Sequence, residues 1–556
     1  MHAQAGHELV GQVLRARVCV VGAGPAGLAL ATRLAGRGVD VVVLEAADPA
    51  IPRERLETVR NVGMRYDLPN QRGRGVGGGA LLWNLPTPVE GLHLRLREMD
   101  AQDFLPRPGV RETAWPLTRP DLDAWYEAAW ALFDLPPVRD GATGLSTSGE
   151  ADGTPAGAPG AAPGASAGEE RLFGMGPAAV FTERLPRALE ASSTGRVVTG
   201  SVVTDIRTDR DLGTVSSLTC ATLGGTFTVE AAEFVLAGGA VENARLLLSA
   251  RSRHTAGIGN ASGHVGRWFM EHPHVESALL RPRDQRLVRD RALWDVHLRD
   301  GVPVMRMRAL PPQVVEREGL LSTAFYLRRR PVTSPVVTTG DGGLDLDTMG
   351  ALRSVRGSLA SRRAPSLSRA QIAHVAAALP GAIRRAGQQA LAPDPGRAAP
   401  RRRTVPRAMN VWAMSEQVPH WRSQVRLTDQ RDSFGVPTAE LDWQLTDPDW
   451  QSLVRSQQLI TPYLGATLGA RVDSLLEGSL PPRIYGGAHQ MGTTRMAASA
   501  RDGVVDVDCR VHGMANLYVA GASVFPTVGS ANPTLTVVAL ALRLAEHLRP
   551  QHRDQH

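Results

Sequence analysis

Apolar positions along the chain gather into three strongly patterned stretches separated by weaker ones. The first, 17-RVCVVGAGPAGLALATRLAGRGVDVVVLEA-46, sets the apolar run VCVV before a glycine turn, an apolar helical segment, and a second run, VDVVVLE, that ends in an acid. Short continuous apolar runs bounded by turn signals predict buried strands, so this segment reads as a βαβ unit. The second stretch places strands in VVTGSVVTDIRTD, SLTCATLGG and TFTVEAAEFVL, the last passing through Gly238 and Gly239 into a helix. That return belongs beside the first unit. The third stretch combines a short strand in NLYVAGAS with a helix, TLTVVALALRLAEHL, beginning after Pro533. Chain start and chain end are therefore expected to meet in one discontinuous domain formed by 15–90, 195–275 and 482–550.

The remaining regions, 91–194 and 276–481, read as a substrate-binding part of mixed pattern. WPLTRPDLDAWYEAAWALFDL predicts a helix capped at Thr118, with Leu122, Trp125, Tyr126 and Ala129 on its core face. VRDRALWDVHLRD, MRMRALPP, STAFYLRRRPV and QVRLTD predict strands, and 368–391 a helix broken near Pro380. Residues 139–169 are small, polar or turn-forming and offer almost nothing to bury, which predicts a flexible insertion.

Composition narrows the chemistry. At 556 residues, 43% apolar and 21% charged, the chain is globular and long enough for two domains. The formal net charge is +7, and all 62 Lys+Arg residues are arginine, which excludes Schiff-base lysine chemistry and the lysine of a P-loop. The arginines are spread out, with no reading module, so no nucleic-acid partner is expected. Cys19, Cys220 and Cys509 are too few and too scattered for a disulfide framework and fit a reducing compartment. With neither a signal-peptide pattern nor a run of about 18 apolar residues, no integral membrane segment is expected, and the expected location is cytoplasmic.

Gly22-Ala23-Gly24-Pro25-Ala26-Gly27 fits GxGxxG at a strand-to-helix junction. Gly22 permits the turn, Gly24 lets the backbone approach a pyrophosphate, and Gly27 lets the helix pack on the strand. The helix N-terminus favours the phosphate charge. Glu45 ends the second strand, where it can bind a ribose hydroxyl and disfavours a 2′-phosphate. An adenine dinucleotide follows, although the fingerprint does not separate FAD from NAD. A glycine turn in an empty sheet is the structural alternative. Residues 60–88 are glycine-rich without periodicity, as suits a loop against a ligand or an equally ordered turn.

Several ordered segments together resemble the glucose-methanol-choline oxidoreductase family over about residues 15 to 550, apart from the insertion. They are VVGAGPAGLALATRLAGRGVDVVVLEA, GRGVGGGALLWN, AGGAVENARLLLSA, EQVPHWRSQVRLTDQRDSFGVP, GAHQMGTTRM and NLYVAGASVFPTVGSANPTLTVVALALRLAEHL. The resemblance implies an α/β FAD-binding Rossmann-like domain with an inserted α+β substrate domain built on an antiparallel sheet. It places a catalytic pair on His489, as base, and Asn532, as the residue that orients the substrate hydroxyl. It also implies flavin contacts from Gly77, Gly78, Gly79, Leu82, Trp83 and Asn84, from Val203, Ala237 and Gly238, and from Asn532, Pro533 and Thr534. Gly521 and Ala522 stand where the family often has Asp-Ala, which puts the acid's side-chain contact in doubt and leaves a backbone one. No Cys, His or Tyr occurs at 77–84, the usual attachment residues of covalent relatives, so noncovalent FAD is implied.

Read without the resemblance, His489 is equally a core or capping histidine, and Asn532 an Asn-Pro turn. His272 and His274 in EHPH do not complete a metal site, and no metal is expected. Short motifs such as ANPTLT and HQMGTTRM look more like the sugar-oxidising, pyranose-oxidase-like side of the family. That implies a small-molecule alcohol or sugar-like substrate, with Glu416, Gln417 and Trp421 as candidate contacts and oxygen or another acceptor for the electrons. A hydrophobic alcohol or steroid substrate, and a noncatalytic dinucleotide-binding protein, are the rival readings.

Overall fold

The computed structural model describes residues 4–83, 91–107, 110, 114–140, 168–329, 408–476 and 484–549. The apolar runs of the first stretch become the strands Val13–Val21 and Val41–Leu44, which pair in parallel with Val18 opposite Val41. Val18–Val20 and Val41–Val43 are fully buried, which is why they carry no polar alternation. Around them runs an eight-stranded sheet in the order Gln4–Ala5, Gly195–Thr199, Val41–Leu44, Val13–Val21, Thr226–Leu236, Val215–Ala221, Val202–Thr208. Leu517–Val519 adds in parallel to the end of Thr226–Leu236, so the two ends of the sequence do share one sheet.

Helices cover this sheet. Pro25–Ala35 packs against Thr534–His547, which in turn packs against Asp123–Leu132. The Thr534–His547 helix is apolar nearly all round, as a helix buried on every side must be. Burial of each leucine it contributes, Leu535, Leu540, Leu542 and Leu544, is worth about 1.5–3 kcal/mol.

A nine-stranded antiparallel sheet forms the second layer, in the order Ala470–Ser474, Pro273–Pro282, Met409–Ser415, Thr323–Arg329, Val302–Ala309, Glu169–Pro177, Leu92–Leu96. His297–Arg299 and Ile484–Gly486 pair at its flanks. A small third sheet joins Gln424–Arg431 and Pro437–Asp442 to Val59–Asn61. The molecule thus combines a Rossmann-like domain with a separate domain on an antiparallel sheet.

Some local expectations need correction. VRDRALWDVHLRD holds only the short strand His297–Arg299 after a 3-10 turn, Arg291–Leu293. Thr118 does not cap a helix. Its amide and hydroxyl instead donate to Asp121, and a 3-10 turn, Pro120–Leu122, precedes the helix. The helix Asp447–Thr467, with a Thr446/Asp449 capping box, was absent from the strand-and-loop pattern expected there. The expected helix at 368–391 and nearly all of the insertion, 141–167, lie outside the described residues.

Candidate active site

Three helices, Pro25–Ala35, Gly239–Ser249 and Thr534–His547, start on one cleft, and none has a side-chain cap. Uncapped helix starts leave N–H groups and positive dipole ends facing the same space, the arrangement an anionic ligand requires. The glycine fingerprint divides its work as its spacing predicts. Gly22 sits at φ 112°, and a Cβ on Gly27 would fall 2.1 Å from the Gly22 carbonyl oxygen. A Cβ on Gly24 would meet nothing nearer than the Gly78 Cα at 3.9 Å, so the space above Gly24 is left for a ligand.

Glu45 is buried beside this turn, accepting from the backbone N–H of Ala23 at 3.1 Å, Ala47 at 3.0 Å and Gly75 at 3.2 Å. Those bonds fix the carboxylate at the cleft wall and tie the 73–79 loop to the fingerprint. Gly22, Gly24, Pro25, Ala26, Glu45, Gly78, Gly79, Trp83, Val203, Ala237, Gly238, Gly521, Ala522, Pro533 and Thr534 all line the cleft. Gly77 stands behind it through a bond from its N–H to the Ala23 carbonyl, Gly27 packs beneath, and Leu82 is not among the lining residues. Asn84 lies outside the described residues. Gln71 Oε1, from the wall, is buried without a hydrogen-bond partner. The residues present fit a dinucleotide with a diphosphate at the helix starts and polar ring edges at the far end.

At that far end stands His489. Its Nε2 is 2.9 Å from Asn532 Nδ2, and its Nδ1 is 2.9 Å from His272 Nδ1. His272 Nε2 is 2.9 Å from the Gly529 carbonyl oxygen, which can only accept. His272 must therefore carry its proton on Nε2, and its Nδ1 offers a lone pair to the Nδ1–H of His489. That order leaves the lone pair of His489 on Nε2, facing the Asn532 amide. Burial and the neighbouring His272, His274 and Arg95 hold the His489 imidazole well below its ordinary range, and burial brings His272 down to about 4. Both rings are neutral at pH 7.

Glu271 anchors this arrangement. Its carboxylate accepts from the Tyr66 hydroxyl and from the amides of His272 and Gly487, both at 2.9 Å. Burial pushes its carboxyl up to about 7 against the lowering pull of Tyr66 and the His272, Gly487 and His489 amides. Ala488 is held at φ 61°, a left-handed conformation rare for a residue with a Cβ, which turns His489 toward Asn532.

Comparison with known proteins bears on both halves of the cleft. Residues 15–68 match the family model of an FAD binding domain, and residues 419–541, which hold both His489 and Asn532, match that of GMC oxidoreductases. The start of the chain is thus similar to FAD binding domains and its C-terminal part to GMC oxidoreductases. A C-glycoside 3-oxidase from Microbacterium trichothecenolyticum is 38% identical over 119 residues, 21% of this chain and 22% of the relative. Paromamine 6'-oxidase from Streptomyces fradiae is 33% identical over 23% of each chain, and the fructose dehydrogenase large subunit of Gluconobacter japonicus 29% over 26% of each. The alignments thus span about a quarter or less of these relatives' length. Pyridoxine 4-oxidase from Mesorbium loti shares the fold, with a TM-score of 0.51 at 16% identity over 97% of this chain and 100% of that one.

In this chain the three nominated substrate contacts are engaged elsewhere. Glu416 is buried, one oxygen bonded to Arg107 Nε at 2.7 Å and the other to the Ser322 amide at 3.1 Å. Gln417 is fully buried, accepting from the Glu271 amide and Trp443 Nε1 and donating to the Gln444 carbonyl. Trp421 packs against His264 and Trp268 under Arg267. The structure brings none of them to the pair. It brings instead His272 and His274 of the EHPH motif. It also brings Glu242, which accepts from Arg72, Arg74, Arg245 and Thr58 at the cleft wall. Among the described residues no group of His, Cys, Asp or Glu forms a metal site, and no helix is long and apolar enough to cross a membrane.

Proposed function

We propose that the protein is a GMC oxidoreductase that holds FAD without a covalent link and oxidises an alcohol of a sugar or sugar-containing compound to an aldehyde or ketone. Bound FAD supplies the hydride acceptor. His489 Nε2 takes the hydroxyl proton, and the Asn532 amide donates to the same oxygen as negative charge grows on it. Two nitrogens 2.9 Å apart, one holding a lone pair and one an N–H, can both address a single oxygen that approaches them from the cleft side and replaces their mutual hydrogen bond. This pair at the end of the cleft is the observation that carries the reading.

The flavin assignment is supported by the FAD-binding match and by the uncapped helix starts, and the noncovalent mode by the absence of a nucleophilic side chain in residues 77–83. A carbohydrate substrate is supported by relatives named as acting on C-glycosides, paromamine and fructose. Purified holoprotein titrated anaerobically with sugars, glycosides, steroids and simple alcohols should lose its oxidised flavin absorbance with members of the sugar group. Bleaching by steroids or simple alcohols alone would overturn the substrate class, and no bleaching by any alcohol would overturn the reaction.

A further inference from the structure

Beside the catalytic pair the antiparallel sheet gathers positive charge that no described acid balances. Arg95, from Leu92–Leu96, is buried, with its Cζ 4.9 Å from the centre of the Tyr326 ring. Its Nε has no hydrogen-bond partner, and burial together with Arg328 lowers its guanidinium while Tyr326 raises it, with no carboxylate among the groups acting on it. Arg328 is exposed, its Cζ 5.3 Å from the rings of both Tyr326 and Trp412. A guanidinium is seldom buried without an anion, and a neighbouring ring offsets only part of its desolvation.

The cluster connects directly to the reacting end. Tyr326 OH is 3.1 Å from His274 Nδ1, and the His274 ring lies 6.1 Å from that of His489. His274 Nε2 is itself without a partner. In the other direction Tyr326 stacks on Trp412 at 6.4 Å, and Trp412 meets Tyr485 at 6.0 Å, both only half-buried. Flat aromatic faces beside two cations suit a ring that carries an oxyanion substituent.

We propose that Arg95 and Arg328 bind an oxyanion, a carboxylate or a phosphate ester, on the far end of the substrate whose alcohol faces His489. The substrate class is then sugar acids or sugar phosphates rather than neutral sugars. This rests on the alcohol-oxidising reading above. A planar carboxylate or phosphate oxygen pair matches the guanidinium fork, while Trp412 and Tyr485 cover the sugar ring.

The holoprotein is tested by anaerobic flavin reduction at constant ionic strength with a methyl glycoside, its uronic acid and its 6-phosphate. At least one anionic form should be preferred in kcat/KM over the neutral glycoside by about tenfold or more. Arg328→Gln, at an exposed position where folding is not at risk, and Arg95→Met should each shrink that ratio. Which anion is preferred identifies the source of the oxyanion. Equal use of all three sugars, unchanged in both variants, overturns the anion site and leaves the oxidation reading standing. Benzoate, which has no alcohol to oxidise, should perturb the oxidised flavin spectrum and lose affinity in Arg328→Gln. If it does so while no sugar reduces the flavin, the anion site stands and the oxidation reading falls.

Discussion

Each nitrogen of the His489 ring faces a partner of a different kind, and this difference sets the direction of the proton. The Gly529 carbonyl can only accept, so His272 donates to it, and His489 is left donating from Nδ1 and basic at Nε2. His272 is thus a positioning residue for the tautomer. His272→Ala is expected to keep flavin bound and to slow flavin reduction by roughly tenfold or more. Because His272 also helps hold the His489 imidazole low, its loss should move the acid limb of the rate profile to higher pH, toward about 6.5. The wild-type rate should stay level through that value and fall only in stronger acid, where His489 takes up a proton. A slower variant with an unmoved limb would reduce His272 to packing. His489 and Asn532 could be nominated from sequence because each sits in a contiguous motif. His272 was not, since its bond to His489 spans 217 residues and leaves no spacing signal.

Elements succeed or fail in the sequence according to how local their cause is. The strand, turn and helix around Gly22 to Gly27 were legible because continuous apolar runs and a glycine spacing dictate them within about thirty residues. The helix Asp447–Thr467 has an equally local start, Thr446 bonded to Asp449 with Pro448 in the first turn. Its apolar face is narrow, Leu453, Ile460 and Leu464, and interleaved with buried polar residues, which hid its period. Of the antiparallel sheet only Val302–Ala309, Thr323–Arg329 and the short His297–Arg299 were legible as strands, and the order was not, because it is set by pairings between distant segments. The glycine turn yields a prediction at this scale. Gly27→Ala drives a Cβ into the Gly22 carbonyl and should destabilise the fold itself by about 1–3 kcal/mol. Gly24→Ala meets no protein atom closer than 3.9 Å and should leave apoprotein unfolding almost unchanged while weakening FAD binding. Thermal unfolding of both apoproteins, beside flavin retention, separates the two effects. Equal loss of apoprotein stability in both variants would contradict the division of roles.

Across the whole molecule, segments far apart in sequence meet at one cleft: the fingerprint helix, the Gly239–Ser249 helix, the Thr534–His547 helix and the 488–490 segment, whose His489 reaches His272 behind it. Two of the three nominated substrate contacts, Glu416 and Gln417, instead became the buried polar framework under that site. Sequence could not foresee this, because a polar residue's role depends on which distant partner burial delivers to it. The most direct test is the anaerobic rate of flavin reduction in His489→Gln beside the wild type, read by rapid mixing with a sugar substrate. The variant is predicted to retain its flavin spectrum and to reduce about 10²–10⁴ times more slowly. Reduction at the wild-type rate would contradict His489 as the base.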